Sequence, residues 1–358
     1  MTPRKEAVLG LITPILGRLV KPEPFSLPSD INDDARVLIV DTGDLTELLF
    51  FAPVINYLKH RHPGMRLTVL VREGNGELIR TMDQISEMIS YEPDHLSLGS
   101  TTYFSLLKRL KAREFNVVFL LGREFNFARS LMALMSKAPL RVGFAQKFSY
   151  PFVNLEIRPS SDSTSYEGSR TIGFLSALGL SPGDSVMGWK LPDQEIRWAN
   201  QMIHFRKPEK GTKLIAVDPG IGKGKHRLVE KSFAYMVNKI SDRYESRVLI
   251  LTNNLDKKSL ERFKALLNVD LIDLEPKNVK EALALLSRAD LLLSGNTDYF
   301  HFSVSMRVPT VGFFTGHDAQ NWFPKGTPWV QIIQGVKGQK LSLDEVYSKI
   351  DTLLHLSG

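Results

Sequence analysis

The sequence contains no cysteine, which excludes disulfide bonds, thiolate metal sites and a cysteine nucleophile. It also lacks any apolar run near the ~20 residues that a membrane-spanning helix needs. A chain without cysteine suits a reducing compartment. We therefore expect a cytoplasmic protein that has neither disulfides nor a transmembrane segment.

Two nucleotide-binding motifs are also missing. A dinucleotide-binding fold carries G-x-G-x-x-G after its first strand, and neither residues 40–44 nor residues 217–220 supply that pattern. The Walker phosphate-loop pattern is absent as well. Basic residues are spread along the chain, with no aromatic RNA-binding signature and no recognition-helix motif. These absences argue against NAD chemistry, P-loop chemistry and a nucleic-acid partner.

The composition is that of an ordinary globular chain with an excess of positive charge. The chain has 358 residues, of which 43% are hydrophobic, and a mean hydropathy of −0.11. This length predicts two domains. The net charge of +7 and the pI near 9.3 favour acidic partners such as nucleotide phosphates or anionic lipid. A solvated basic surface explains the charge equally well.

The first 35 residues form a segment of their own. An apolar stretch, Ala7–Val20, is interrupted by Pro14 and is followed by a linker at residues 22–35 that contains three prolines. No small-residue cleavage site follows the stretch, so we do not expect a secretory signal. The pattern predicts a short amphipathic helix flanked by Arg18 and Lys21. The helix could pack against the protein body or rest on an anionic membrane surface, and the sequence leaves both roles open.

From residue 36 onward, short apolar strands alternate with amphipathic helices, which predicts parallel sheets with helices on both faces. A break rich in Pro, Lys and Glu separates two such series. We therefore predict an α/β protein with two doubly wound, Rossmann-like domains that face a central cleft. The domains cover residues 36–190 and 213–358, and a linker at residues 191–212 joins them.

Three carboxylates lie within seven residues where the first strand meets the first helix. The turn is Asp41-Thr42-Gly43-Asp44-Leu45-Thr46-Glu47. A helix N-cap explains Asp44 or Thr46, and Glu47 is favoured at the positive end of the helix. Because capping does not account for three acids, we predict that one of them is free to act as a general base.

Two segments of the second domain are predicted to bind phosphate. Residues 219–227 form a glycine-rich basic loop that enters a helix, and such a loop lets the backbone approach a phosphate closely. Residues 295–301, Gly-Asn-Thr-Asp-Tyr-Phe-His, place N–H groups at a strand-to-helix turn at the carboxyl end of the sheet. The simpler alternatives are a plain surface loop and, for His301, a hydrogen-bonded helix residue.

Together these segments resemble glycosyltransferase family 9, the family of the ADP-heptose:lipopolysaccharide heptosyltransferases. Residues 43–47, with Pro53 beyond them, match the first turn of the family, in which Glu47 takes the catalytic-base position. Residues 219–229 match its phosphate loop. Residues 296–301, followed by Val308-Pro309-Thr310, match its D-[ST]-G-x-x-H motif and the strand after it. The resemblance covers nearly all of the chain after the N-terminal segment.

The resemblance implies a GT-B fold and an inverting sugar transfer. Heptose or a related sugar would move from a nucleotide-diphosphate donor, ADP-linked if the family pattern holds, to a lipopolysaccharide core or another cell-surface glycan. The first domain would bind the acceptor, with Glu47 and Asp44 as the catalytic carboxylates. The second domain would bind the donor without a metal or an organic cofactor. The expected location is the inner face of the cytoplasmic membrane, with peripheral contact to anionic lipid.

The resemblance also assigns the residues that bind the donor. Cations and N–H groups would stabilise the charge that grows on the leaving diphosphate. The predicted diphosphate contacts are Gly220, Lys223, Lys225, His226, Arg227, Thr297 and Asp298; the predicted sugar contacts are Asn296 and His301; and the nucleotide base is predicted to lie near Thr252 and Asn253.

Several residues depart from the family pattern, and three of them bear on two alternatives that stay open. Glu47 and Asn296 each stand where the family has Asp, and Asp298 stands where it has Gly. A catalytically impaired relative that binds nucleotide-sugar or glycan would tolerate such changes. A GT-B nucleotide-sugar epimerase would share the fold but would need no glycan acceptor.

Overall fold

The computed structural model divides the chain into two compact units. Unit 1 contains Met1–Asp162 and Gly168–Met187, and unit 2 contains Ser163–Glu167 and Gly188–Gly358. The structure describes residues 3–20, 24–41, 43–122, 124–158, 166–171, 173–180, 189–206, 212–220, 230–251, 257–315, 322–324, 326–335 and 342–355.

Unit 1 is built on a six-stranded, all-parallel sheet. After helix α1 (Pro3–Leu19), its strands are β1 (Arg36–Val40), β2 (Arg66–Arg72), β3 (Glu87–Tyr91), β4 (Val117–Leu120), β5 (Leu140–Phe144) and β6 (Leu155–Ile157). Its further helices are α2 (Leu45–Arg61), α3 (Gly76–Ile79), α4 (Thr101–Lys111), α5 (Phe127–Met135), α6 (Glu167–Arg170), whose first residue belongs to unit 2, and α7 (Gly173–Ala177). The strand order is β3-β2-β1-β4-β5-β6.

Nearly continuous apolar strands explain why helices cover both faces of this sheet. β1 is Arg-Val-Leu-Ile-Val and is buried from Val37 onward, as expected of a central parallel strand. The rings of Phe51, Phe119 and Phe174 pack with their centroids 5.2 to 5.7 Å apart. This packing holds α2 and α7 against the strands.

Unit 2 repeats the architecture. It begins with helix α8 (Asp193–His204), and its strands are β7 (Lys213–Asp218), β8 (Ser246–Ile250), β9 (Asp270–Leu271), β10 (Leu291–Ser294), β11 (Thr310–Thr315) and β12 (Val330–Gly335). Its other helices are α9 (Glu230–Arg243), α10 (Lys257–Lys264), α11 (Val279–Leu286), α12 (Asp298–Met306) and α13 (Leu343–His355). The parallel strands follow the order β12-β11-β10-β7-β8-β9.

The strand order reverses at one place in each sheet. In unit 1 the reversal lies between β1 and β4, and in unit 2 it lies between β7 and β10. Ligands of open α/β sheets bind outside the carboxyl ends of the strands at such switch points. A ligand is therefore expected at the turns that follow these four strands.

The predicted α/β class with two doubly wound sheets is confirmed.

Residues 193–204 form a helix inside the segment that the sequence predicts to be a linker, residues 191–212. Ala199 and Ile203 are buried on one side of this helix. Glu195 makes an ion pair with Lys280 of α11 at 2.9 Å. Because this segment has many charged residues and few apolar ones, its composition indicates a linker, and its helical spacing is not evident from the sequence.

Helix α1 packs against unit 1 along one side. Leu9 and Thr13 are buried there, and Glu6 makes an ion pair with Lys147 at 2.9 Å. The helix continues through Pro14. Among the described residues, no helix combines the length and the apolar content that crossing a bilayer requires.

Candidate active site

The turn after β1 places acidic groups at the switch point of unit 1. Gly43 adopts a φ of +86°, a left-handed conformation that a side chain would strain, and this turns the chain from β1 into α2. Asp44 is the N-cap of α2, and one of its carboxylate oxygens accepts the N–H of Thr46 at 2.9 Å. Glu47 lies in the first helical turn, half-buried, with one carboxylate oxygen inaccessible to solvent. The capping role foreseen for Asp44 is therefore present.

Asp41 is the fully buried acid of this turn. Burial raises the pKa of Asp41 to about 7, and the charge of Glu47 contributes to the rise. The backbone N–H of Gly43 and the charge of Arg129 act in the opposite direction. Asp41 therefore holds its proton in mildly acidic solution and ionises near neutrality, while it interacts electrostatically with Glu47.

Arg129 brings a cation to the same switch point. It lies in α5, which follows β4, and the N-cap side chain of Asn126 accepts its backbone N–H at 3.1 Å. Its Nε and Nη1 atoms are buried and donate no hydrogen bond within the described part of the chain. Sequence reasoning missed Arg129 because nothing local distinguishes it from other helical arginines. Only the pairing of β1 with β4 brings it close to Asp41.

The corresponding switch point in unit 2 is organised by Asp218, at the end of β7. Its Oδ1 atom accepts the N–H of Gly220 at 2.8 Å. Its Oδ2 atom accepts the hydroxyl of Thr297 at 2.5 Å and that of Ser294 at 3.3 Å. Burial raises the pKa of Asp218 to about 6, although these hydrogen bonds oppose the rise. One carboxylate thus holds the turn after β7 against the turn after β10.

Gly220 lies too close to Asp218 for any side chain. A Cβ atom at this position would come within 2.8 Å of Asp218 Oδ1, a distance that real Cβ atoms do not reach. The glycine predicted to contact phosphate is therefore required, first of all, by the close approach of the backbone to this carboxylate. Asp218 itself was not singled out from the sequence, although an acid that ends a buried strand before Pro-Gly was an available signal.

Thr297 is the N-cap of α12. Its hydroxyl oxygen accepts the N–H of Phe300 at 3.4 Å, and its hydroxyl hydrogen is directed to Asp218. Any contact of this turn with a phosphate would therefore come from backbone N–H groups of the first helical turn, which have no partners within a helix. Asp298 occupies the first helical position, where its carboxylate is favoured by the helix dipole.

His301 is buried, and its two ring nitrogens contact Asn296 and Tyr166. Its Nε2 atom lies 3.0 Å from Asn296 Oδ1, and its Nδ1 atom lies 3.3 Å from the hydroxyl of Tyr166. Burial lowers the pKa of His301 to about 3, so the ring is neutral at physiological pH. With Asn296 Oδ1 as an acceptor, Nε2 carries the hydrogen and Nδ1 accepts from Tyr166.

This chain of contacts orients the amide of Asn296. Because Oδ1 is turned toward His301, the NH₂ group points elsewhere, and it makes no hydrogen bond with other described residues. The rings of Trp322 and Phe300 flank His301, with centroid distances of 5.4 and 5.2 Å. Both ring nitrogens of His301, which the sequence predicts to contact sugar, are therefore occupied by Asn296 and Tyr166.

Several predicted site residues lie outside the described part of the chain. These are Lys223, Lys225, His226 and Arg227 of the phosphate loop, and Thr252 and Asn253 of the base region. Their roles stay predictions. No cluster of His, Asp or Glu suited to hold a metal ion occurs within the described ranges.

A family model, that of glycosyltransferase family 9 (heptosyltransferase), matches residues 103–346, which is more than half of the chain. The chain belongs to glycosyltransferase family 9. It is also 23% identical over 283 residues to the lipopolysaccharide core heptosyltransferase OpsX of Haemophilus influenzae, covering 77% of each chain. The predicted family and the glycosyltransferase activity are thereby confirmed.

Solved structures of this family share the fold. A family 9 glycosyltransferase from Veillonella parvula superposes with a TM-score of 0.75 at 16% identity, covering 92% of this chain and 99% of that one. The ADP-heptose lipopolysaccharide heptosyltransferase II of Escherichia coli gives a TM-score of 0.70 at 15% identity, with 90% and 99% covered. A UDP-GlcNAc 2-epimerase from Neisseria meningitidis is less similar, with a TM-score of 0.52 at 16% identity, and covers 90% and 92%. The GT-B fold is therefore confirmed, and the epimerase alternative is the weaker one.

Replacing Asp218 by alanine in this family 9 enzyme tests whether this carboxylate holds together the turns after β7 and β10. We expect a loss of about 3 kcal/mol in the free energy of unfolding, because three donors in a buried place lose their acceptor. We also expect ADP to bind at least ~10-fold more weakly, since the turns are no longer held together. Chemical denaturation and isothermal titration measure the two effects.

Asp290→Ala is the matched control, because the carboxylate of Asp290 accepts the N–H of Leu214 at 2.7 Å at the opposite end of the same sheet. It should lower stability while leaving ADP affinity unchanged. If both variants weakened ADP binding equally, the loss would reflect general destabilisation, and Asp218 would have no specific role in ADP binding.

The raised pKa of Asp41 predicts a pH-dependent stability. The folded state holds the proton up to about pH 7 and the unfolded state only to about pH 4, so stability falls as pH rises through this window. Between about pH 5 and pH 8 the wild type should lose about 3 kcal/mol more than Asp41→Asn, at ~1.4 kcal/mol per pKa unit. Urea denaturation at both pH values measures this difference, and parallel losses in the two proteins would contradict the assignment.

Proposed function

We propose that this glycosyltransferase moves heptose or a related sugar from an ADP-linked donor to a lipopolysaccharide core or another cell-surface glycan. The names of two relatives support this choice: a lipopolysaccharide core heptosyltransferase and an ADP-heptose lipopolysaccharide heptosyltransferase. The observation that carries the proposal is the arrangement around Asp218, where a Pro-Gly turn and the start of α12 meet at the switch point.

In the proposed reaction the donor diphosphate lies at the N-terminus of α12. The N–H groups of the first helical turn and the positive end of the helix dipole favour an anion there. The cations of the adjoining loop, Lys223, Lys225 and Arg227, stabilise the charge that develops as the diphosphate leaves. The protein supplies this stabilisation without a metal ion or an organic cofactor.

Glu47 is the proposed general base. It takes the proton of the acceptor hydroxyl while the hydroxyl oxygen attacks the anomeric carbon from the side opposite the diphosphate. The bond from that carbon to the diphosphate breaks, the electron pair leaves with ADP, and the configuration inverts. Asp41 keeps its proton below about pH 7, so in mildly acidic solution it adds no negative charge next to the Glu47 carboxyl group.

Asn296 is the proposed sugar contact. Its NH₂ group is the part of the amide that His301 leaves available, and it donates a hydrogen bond to an oxygen of the transferred sugar. The neutral His301 ring contacts the amide oxygen of Asn296 and is itself held by Tyr166, so the direction of the NH₂ group is fixed. A site pre-ordered in this way loses less conformational entropy when the sugar binds.

We further propose that the enzyme acts in the cytoplasm, at the inner face of the membrane. A lipopolysaccharide core is attached to lipid, so an enzyme that modifies it needs access to a membrane surface. The positive net charge of the chain suits such a surface when the lipids are anionic.

A nucleotide and acceptor screen tests the proposal. We expect isothermal titration to show ADP binding more tightly than GDP or UDP, and we expect mass spectrometry to show a heptosyl residue added to delipidated lipopolysaccharide core when ADP-heptose is the donor. Failure of all three nucleotides to bind would contradict the proposal. Epimerisation of a donor without acceptor would support the epimerase instead, and donor binding without transfer would support the impaired relative.

Glu47→Gln should separate chemistry from binding. The variant loses the proton acceptor but keeps the size of the side chain, so kcat should fall by roughly 100- to 10,000-fold. ADP affinity should stay within about twofold of the wild type. The control is Glu77→Gln. Glu77 is an exposed acid of the same unit that pairs with Arg80, so this variant should retain full activity. Activity of Glu47→Gln near the wild-type level would exclude Glu47 as the base.

Tyr166→Phe tests the orientation of Asn296. Losing the hydroxyl removes one hydrogen bond to His301, worth about 1 kcal/mol, so KM for the donor should rise by ~3- to 10-fold while kcat changes less. Tyr244→Phe is the control, because its hydroxyl bonds Asp351 at 2.7 Å elsewhere in unit 2. It should lower stability without raising KM, and an equal rise in both variants would contradict an orienting role.

A further inference from the structure

Helix α1 has two apolar sides, and unit 1 covers only one of them. Leu9 and Thr13 are buried against the unit, whereas Val8, Leu11 and Ile15 are 48%, 72% and 59% exposed. The spacing 8, 11, 15 places these three side chains on a single face of a helix. We define this face as the outer stripe of α1.

The outer stripe does not contribute to the core of its own unit. An exposed apolar residue is ordinary when it stands alone, but a contiguous row on one helix marks an interaction surface. The row begins one helical turn after Arg4 and ends one turn before the exposed Arg18. The 3.6-residue period places the backbone positions of both arginines on the same face as the row.

The part of unit 1 next to α1 continues this pattern. The Tyr150 ring packs against the backbone at Gly17, where an added Cβ would come within 2.9 Å of Tyr150 Cε1. Tyr150 is nevertheless 60% exposed. Lys147, close by, pairs with Glu6 and keeps most of its side chain in solvent. An exposed aromatic ring and cations beside an apolar row are the features of helices that lie in a membrane interface.

We propose that the outer stripe of α1, with Tyr150, Arg18 and Lys147, is the surface on which this protein rests on an anionic lipid bilayer. The apolar side chains enter the boundary between headgroups and acyl chains, and the cations contact lipid phosphates. Charge favours lipid over a second copy of the chain, because two copies of this basic face would repel each other. The contact is peripheral, since α1 is neither long nor apolar enough to cross a bilayer.

Co-sedimentation of the full chain with vesicles tests this surface. We expect binding to phosphatidylethanolamine vesicles that contain phosphatidylglycerol, weaker binding at high salt, and much weaker binding to phosphatidylcholine vesicles. The vesicles contain no sugar acceptor, so the result does not depend on the proposed transfer reaction. A protein that binds vesicles but transfers no sugar would contradict the proposed function alone.

The variants target the apolar and the charged parts separately. Leu11→Ser and Ile15→Ser should each lower the apparent affinity for anionic vesicles by about 10-fold, because each removes an inserting side chain. Arg18→Gln should lower it by about fivefold. All three positions are exposed, so thermal unfolding and ADP binding should match the wild type.

Matched controls are Phe205→Ser, which removes an exposed apolar side chain of unit 2, and Lys111→Gln, which removes an exposed cation of α4. Both should bind vesicles as the wild type does. Unchanged binding by Leu11→Ser and Ile15→Ser would overturn the proposal, and so would equal losses in the controls. If the protein does not bind vesicles but forms a dimer that Leu11→Ser abolishes, the outer stripe of α1 would be a self-association surface and the proposal would be overturned.

Discussion

The switch point of unit 2 depends on one buried carboxylate, that of Asp218. Asp218 accepts hydrogen bonds from groups in two separate turns: the N–H of Gly220 on one side, and the hydroxyls of Thr297 and Ser294 on the other. Burying a carboxylate is costly, and here three donors offset part of that cost. As a result, the Pro-Gly turn and the first turn of α12 keep a defined relation to each other before any ligand binds.

Unit 1 uses the equivalent position for a different purpose. Asp41 comes directly after β1, and Asp218 is the last residue of β7; the two sheets share one strand order. Burial raises the pKa of both carboxyl groups, but Asp41 interacts with the charges of Glu47 and Arg129, whereas Asp218 is bound by hydrogen-bond donors. One unit thus fixes hydrogen-bond donors, and the other gathers groups that hold or accept protons. The proposed transfer reaction would use both kinds of group, since it must stabilise a leaving anion and remove a proton from the acceptor.

Much of the fold and part of the site were predictable from local patterns. Continuous apolar runs such as Val37–Val40 indicated buried parallel strands, and their alternation with helices indicated two doubly wound sheets. The N-cap at Asp44 and the turn at Gly43 follow from residue type. Helix α8 was missed because its charged residues outnumber its buried ones. Its stability comes from packing, which composition does not report.

The sequence by itself determined the fold class, the family and the positions of the two βα turns, because these depend on periodicity and on short motifs. Only the tertiary structure decided which side chains meet at those turns. Tyr166 and His301 are 135 positions apart, Asp218 and Thr297 are 79 apart, and Arg129 reaches Asp41 only across paired strands. Such contacts arise from strand order and burial, and burial then sets the protonation of Asp41 and His301, which neither side chain's identity could reveal.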